Sequence, residues 1–160
     1  MEHDPILQMA YDASTKALEQ QDRTIGNLRN RATAILTVAA LGVSFATGVG
    51  LINTDRSKGF VLPHWAAFTL LGLVGAMGLL TMYILLPVDR FVYGPDAEVL
   101  LRKAGTDNEM DDVLRYMAQE LTAGRKRNAG PMKRRFFAFE LAVALLVAEV
   151  VVLIMAFLLN

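Results

Sequence analysis

Three stretches of this chain carry almost no charge, and they constrain the fold more than any other feature. From Ala32 to Thr54 there is no charged side chain, and from Gly59 to Val88 only His64 could hold one. Phe136 to Leu159 is interrupted only by Glu140 and Glu149. Each stretch can cross a hydrocarbon layer of ~30 Å as a helix of ~20 residues. The expected class is therefore an all-α integral membrane protein with three transmembrane helices, which excludes an ordinary soluble enzyme. With 160 residues in total, the chain is read as one membrane domain, 1–160. Its parts are a cytoplasmic amphipathic helix 5–31, spans at 33–53, 65–87 and 136–159, and cytoplasmic helices within 95–129.

The bases set the expected orientation. Sixteen bases balance sixteen acids overall, but they are unevenly placed: fourteen lie before the first stretch or between the second and third, against only Arg56 and Lys58 between the first two. Basic residues resist translocation, so the N-terminus and the long second connection are expected in the cytoplasm and the C-terminus outside. The polar first 31 residues lack the basic start, apolar core and cleavage site of a secretory signal. Trp65 and Tyr83 stand near the two ends of the second span, at the depths amphipathic rings prefer. The expected location is the inner (plasma) membrane.

The cytoplasmic segments read as helices. Leu7, Tyr11, Leu18, Ile25 and Leu28 recur at four- and seven-residue steps, forming an apolar stripe on a polar helix that could run into the first span, with Gly26 weakening the continuity. Thr106 with Glu109 forms a capping box before a helix whose Met110, Val113, Leu114, Met117 and Leu121 share a face. A shorter helix is expected from Asp96 to Gly105. Gly124 and the Gly130–Pro131 pair are expected to end the cytoplasmic helix before the third span.

Glu149 falls near the middle of the third span, where a charge costs at least ~2.5 kcal/mol, so it should face protein or water. It shares a helical face with Ala138, Ala142 and Ala156, which suggests a packed or pore-facing surface. Two readings stand: a cation-attracting or protonatable group in an oligomer, or a hydrogen-bonded acid that holds helices together. Glu140 is expected to form a snorkelling ion pair with Arg134 or Arg135. Ala40, Ser44 and Gly48 on the first span, and Thr69, Gly72, Gly75 and Ala76 on the second, are expected packing faces, because close backbone approach drives association in lipid.

The bases Arg125, Lys126, Arg127, Lys133, Arg134 and Arg135 precede the third span. They read as a topology signal that touches anionic lipid, or as an anion site to which Arg102 and Lys103 contribute. No glycine-rich phosphate loop accompanies them. Without cysteine, and with only His3 and His64 as imidazoles, no nucleophile and base or metal-ligand spacing can be assembled, so neither enzyme activity nor a metal or cofactor is expected. Asp107, Glu109, Asp111 and Asp112 read as helix-start residues favoured by the macrodipole.

The layout resembles the small membrane effectors of bacterial nucleotide-signalled antiphage defence, the Pycsar-effector and SLATT-like groups. The resemblance rests on a polar helix feeding through Asn27, Leu28, Arg29, Asn30, Arg31, Ala32 and Thr33 into a span, and on a second span ending at Leu86 and Pro87. A helical stretch through Tyr93 and Gly94 and the basic re-entry at Lys133, Arg134 and Arg135 complete it. SLATT proteins are usually described with two spans, against three here. The resemblance implies an oligomeric ion channel or membrane-permeabilising pore, gated by a cytoplasmic nucleotide second messenger or partner protein. No nucleic-acid duplex binding is expected. The alternative is a membrane-anchored adaptor whose stripe from Met110 to Leu121 recruits a soluble partner, and an ion-coupled transporter subunit using Glu149 is weaker still because inverted repeats and broken helices are missing.

Overall fold

A computed structural model describes residues 4–48, 63–87, 91–94, 98 and 110–158. Its elements are helical: α1 (Pro5–Gly48), α2 (His64–Leu85) and α3 (Met110–Leu158). The expected capping box at Thr106 and Glu109, the helix from Asp96 to Gly105 apart from Glu98, and the end of the first span at 49–53 lie outside the described residues, as do Arg102 and Lys103.

α1 starts where its chemistry dictates. Asp4 accepts the amide of Ile6 on its carboxylate at 2.9 Å, and its carbonyl accepts Leu7 N at 3.1 Å. Pro5 takes the first helical position, where its missing N–H costs nothing. The helix then runs through Gly26 without a break, so the expected 5–31 helix and first span form one 44-residue helix.

A larger correction concerns α3. Gly124, Gly130 and Pro131, expected to terminate it, all lie inside a continuous 49-residue helix. Proline removes one hydrogen bond and crowds the preceding residue. Here that residue is Gly130, which carries no Cβ to crowd the proline ring. The helix is held on both sides by its packed face, so one missing bond does not end it.

That face explains both long helices. On α1, Leu18, Gln21, Ile25, Leu28, Ala32, Ile35 and Ala39 alternate steps of three and four and are buried or half-buried. On α3 the same rhythm runs Met117, Leu121, Gly124, Asn128, Pro131, Arg135, Ala138, Ala142. A repeat averaging 3.5 residues keeps one seam on one side of a helix, the pattern of helices packed nearly side by side.

The chain divides into two compact units, Met1–Asn27 with Pro87–Arg134 and Leu28–Leu86 with Arg135–Asn160. In the first, Asp4 N donates to Asp111 Oδ1 at 3.4 Å, the Ser14 and Thr122 hydroxyls lie 3.3 Å apart, and Gln21 Nε2 donates to the Arg125 carbonyl at 3.1 Å. Numbers rise together on both helices, so α1 and α3 are parallel there.

In the second unit the core is layered. Leu28 and Ala32 pack with Ile84 and Ala138, Ile35 and Ala39 with Met77 and Ala142, and Ala66 and Leu70 with Ala156. α1 and α3 ascend while α2 descends. Alanines at the seam let the backbones approach closely. α2 and α3 are each long and apolar enough to cross a membrane. Their apolar surface points outward as well as inward: Phe68, Leu71, Leu79, Val147 and Phe157 are exposed, as are Val38, Leu41 and Phe45 on α1. A soluble core helix hides such residues, whereas an apolar exterior of this extent calls for lipid or further protein.

Candidate functional site

Because the seam is apolar by default, the polar residues set into it are the candidates. They are Asn128 in the first unit and Thr81, Arg135 and Glu149 in the second, all at most 5 % exposed.

Glu149 lies on the same buried face as Ala138, Ala142 and Ala156, as periodicity predicts. It is 1 % exposed, and neither carboxyl oxygen has a hydrogen-bond partner among the described residues. A Cβ added to Gly42 would lie 3.1 Å from Glu149 Oε1, so the absence of a side chain on α1 makes room for the acid. Within a single chain the acid therefore points into the helix bundle, and it is not held by the hydrogen bonds one reading expected. An unpartnered buried polar group costs about 1–3 kcal/mol. Glu149→Met is accordingly expected to raise the thermal unfolding midpoint of the purified protein. Gly42→Ala should lower it, and should do so less when Glu149→Ala is also present. Additive effects of Gly42→Ala and Glu149→Ala would show that the two positions do not meet.

Arg135 is withdrawn from the basic run. Its guanidinium donates to Ile84 O at 2.8 Å and to Leu86 O, closing the end of α2. Helix C-termini leave carbonyls without partners, and a cation there also meets the macrodipole favourably. Leu86 is extended because it precedes Pro87, which is why these carbonyls need a donor from elsewhere. Glu140 is exposed. Arg125, Lys126, Arg127, Lys133 and Arg134 are also exposed. Arg127 and Arg134 stand two helical turns apart, about 10 Å along the axis.

The expected small-residue packing faces are not the buried ones. Ala40, Ser44, Thr69, Gly72 and Gly75 are exposed and Ala76 is half-buried, while Gly48 is the last residue of α1. Within one chain the packing is done by the seam of larger apolar residues and alanines, which leaves these small residues facing outward, where contacts between copies would form. On α1 the exposed surface itself divides in two. Thr33, Thr37, Ala40 and Ser44 fall within an arc of about 60°, and Ala34, Val38, Leu41 and Phe45 form an apolar arc beside it. The hydroxyls of Thr33, Thr37 and Ser44 each donate to the carbonyl four residues earlier, at 2.8–3.1 Å.

In the first unit Asn128 does what sequence reading missed. Its amide donates to Val92 O at 2.8 Å and its oxygen accepts Val92 N at 3.0 Å, so one side chain imitates a strand partner for the segment 91–94. The Val92 side chain meanwhile seats against Gly124, where an added Cβ would sit 2.8 Å from Val92 Cγ1. Gly124 is thus a notch and not a helix end. Continuing the rhythm of Leu114, Met117 and Leu121 by three and four would have reached Gly124, Asn128 and Arg135. Among the described residues no cluster of acids and histidines could hold a metal ion. No protein-family model matches the chain, and neither a curated protein nor a solved structure is significantly similar to it.

Proposed function

We propose that the protein is a three-span membrane protein whose copies assemble into an ion channel or membrane-permeabilising pore, gated from the cytoplasmic side. The third span in this reading is the second half of α1, which packs layer by layer beside the two apolar helices α2 and α3. The asymmetry of the bases puts the N-terminus in the cytoplasm and the C-terminus outside. Among the described residues the packed layers of one chain are alanine, leucine, isoleucine and methionine, with the buried polar side chains Thr81, Arg135 and Glu149 set among them and not joined into a channel of their own. A path for ions must then lie between copies.

The observation that carries the reading is the outward face Thr33, Thr37, Ala40 and Ser44, small and hydroxyl-bearing beside the apolar arc of Ala34, Val38, Leu41 and Phe45. This face, and not Glu149, is the proposed pore lining. α1 and α3 each contribute residues to both units. The proposed biological role is an effector in bacterial antiphage defence, on the strength of the resemblance in layout. The adaptor reading is not favoured, because Met117 and Leu121 of its docking stripe are buried in the protein's own fold.

The chain contains no cysteine, which makes the test direct. Thr37→Cys protein reconstituted in liposomes is expected to lose ion flux on treatment with a membrane-impermeant methanethiosulfonate reagent, whereas Val38→Cys protein is not. Modification of Val38→Cys with Thr37→Cys untouched would remove the α1 face from the conduction path.

A further inference from the structure

The segment 91–94 has a second consequence, independent of conduction. Side chains alternate along an extended segment. With Val92 turned toward Gly124 on α3, its neighbours Phe91 and Tyr93 are free to present their rings together, and the two centroids lie 4.9 Å apart. Both rings line a cavity of about 200 Å³. α1 supplies a third ring, Tyr11, and two carboxylates, Glu19 and Asp22, while Leu18 and Leu121 add apolar surface. No base is among its lining residues within the described chain.

We propose that this cavity binds a small organic ammonium ion, with the charge over the aromatic faces and against Asp22. Ring faces carry the negative part of the aromatic quadrupole and attract cations, more strongly for one that sheds its water easily. A methylated ammonium does so and also gives its apolar body to Leu18 and Leu121. Glu19 is partly engaged, since Arg23 approaches it at 3.8 Å on the exposed helix surface. Asp22 has no ion-pair partner among the described residues, and Tyr93 is 68 % exposed, so the rim is open to solvent. Asn128 and Gly124 hold the ring-bearing segment before any ligand arrives, which lowers the ordering cost of binding. The expected anion preference of the basic run does not extend to this cavity.

The test uses the full chain in maltoside detergent, in a phosphate buffer free of organic amines, titrated with tetramethylammonium chloride by calorimetry. Saturable binding is expected. Tyr93→Ala should weaken it about tenfold, Tyr93→Phe should leave it nearly unchanged, and Asp22→Asn should weaken it. Arg23→Gln, which frees Glu19, should strengthen it. Because Tyr93 is exposed, its loss is not expected to alter the helical circular dichroism, which serves as the folding control. The proposal is overturned if heat never saturates, if sodium at equal ionic strength displaces tetramethylammonium equally well, or if folded Tyr93→Ala binds as the parent does. The outcome is separable from that of the flux experiment, since binding is read without a membrane.

Discussion

Arg135→Ala is expected to lower the stability of the purified protein by about 3 kcal/mol. Two charge-assisted hydrogen bonds disappear, and the carbonyls of Ile84 and Leu86 lose their donor at a buried helix end. On the usual scaling for a chain of this size, that lowers the thermal midpoint by about 10 °C. Arg135→Lys should recover only part of the loss, because an ammonium cannot place two fixed donors on two carbonyls as the planar fork does. The neighbouring Arg134→Ala removes an exposed base and should change stability by no more than about 0.5 kcal/mol. Thermal scans of the three variants in one detergent check the ranking. Equal shifts for Arg134→Ala and Arg135→Ala would mean that the cap contributes nothing.

Asn128→Ala is the second large effect, about 2 kcal/mol, and it should be local. The variant leaves Val92 N and Val92 O without the side chain that satisfies both, and Gln21 loses the weaker 3.4 Å bond from the same amide. The Val92 amide is expected to exchange with solvent about thirtyfold faster, and chymotrypsin should cut sooner after Phe91 and Tyr93. Asn128→Asp keeps an acceptor for Val92 N but turns a second oxygen toward Val92 O, so it should be at least as damaging. Gly124→Ala should loosen the same segment by a different route, through the 2.8 Å clash with Val92. Unchanged exchange at Val92 in Asn128→Ala would show that the segment is held by something other than this side chain.

The all-helical class and the two apolar spans were legible because charge-free runs of that length have few other uses. The stripe Leu18, Ile25 and Leu28, and the burial of Glu149 beside Ala142 and Ala156, were legible for a related reason: helical periodicity records which side packs. What misled was local punctuation. Gly124, Gly130 and Pro131 have the composition of a helix end, but a helix packed on one seam for its whole length tolerates a missing bond and uses a missing side chain as a notch. Ala40 and Ser44 match a small-residue pattern that serves contacts within a chain and between copies alike, and within the chain the side of α1 that packs is set by Ile35 and Ala39, nearly opposite. Arg135 looked like one more member of a basic run. Only its place in the seam, seven residues after Asn128 and three before Ala138, distinguishes it from Arg134. The link between Asn128 and Val92 was not legible, because it joins a helix to an extended segment 36 positions away and follows no period.

The central claim, that copies of this chain pass ions between them, is tested most directly by measuring particle mass and ion flux on one preparation. The full chain is purified in detergent, its mass determined, and the same sample reconstituted into liposomes loaded with a potassium-sensitive dye. A defined oligomer whose liposomes release potassium, spontaneously or on adding a cytoplasmic nucleotide, is the expected result. A folded monomer whose liposomes stay tight under all these conditions would contradict the account.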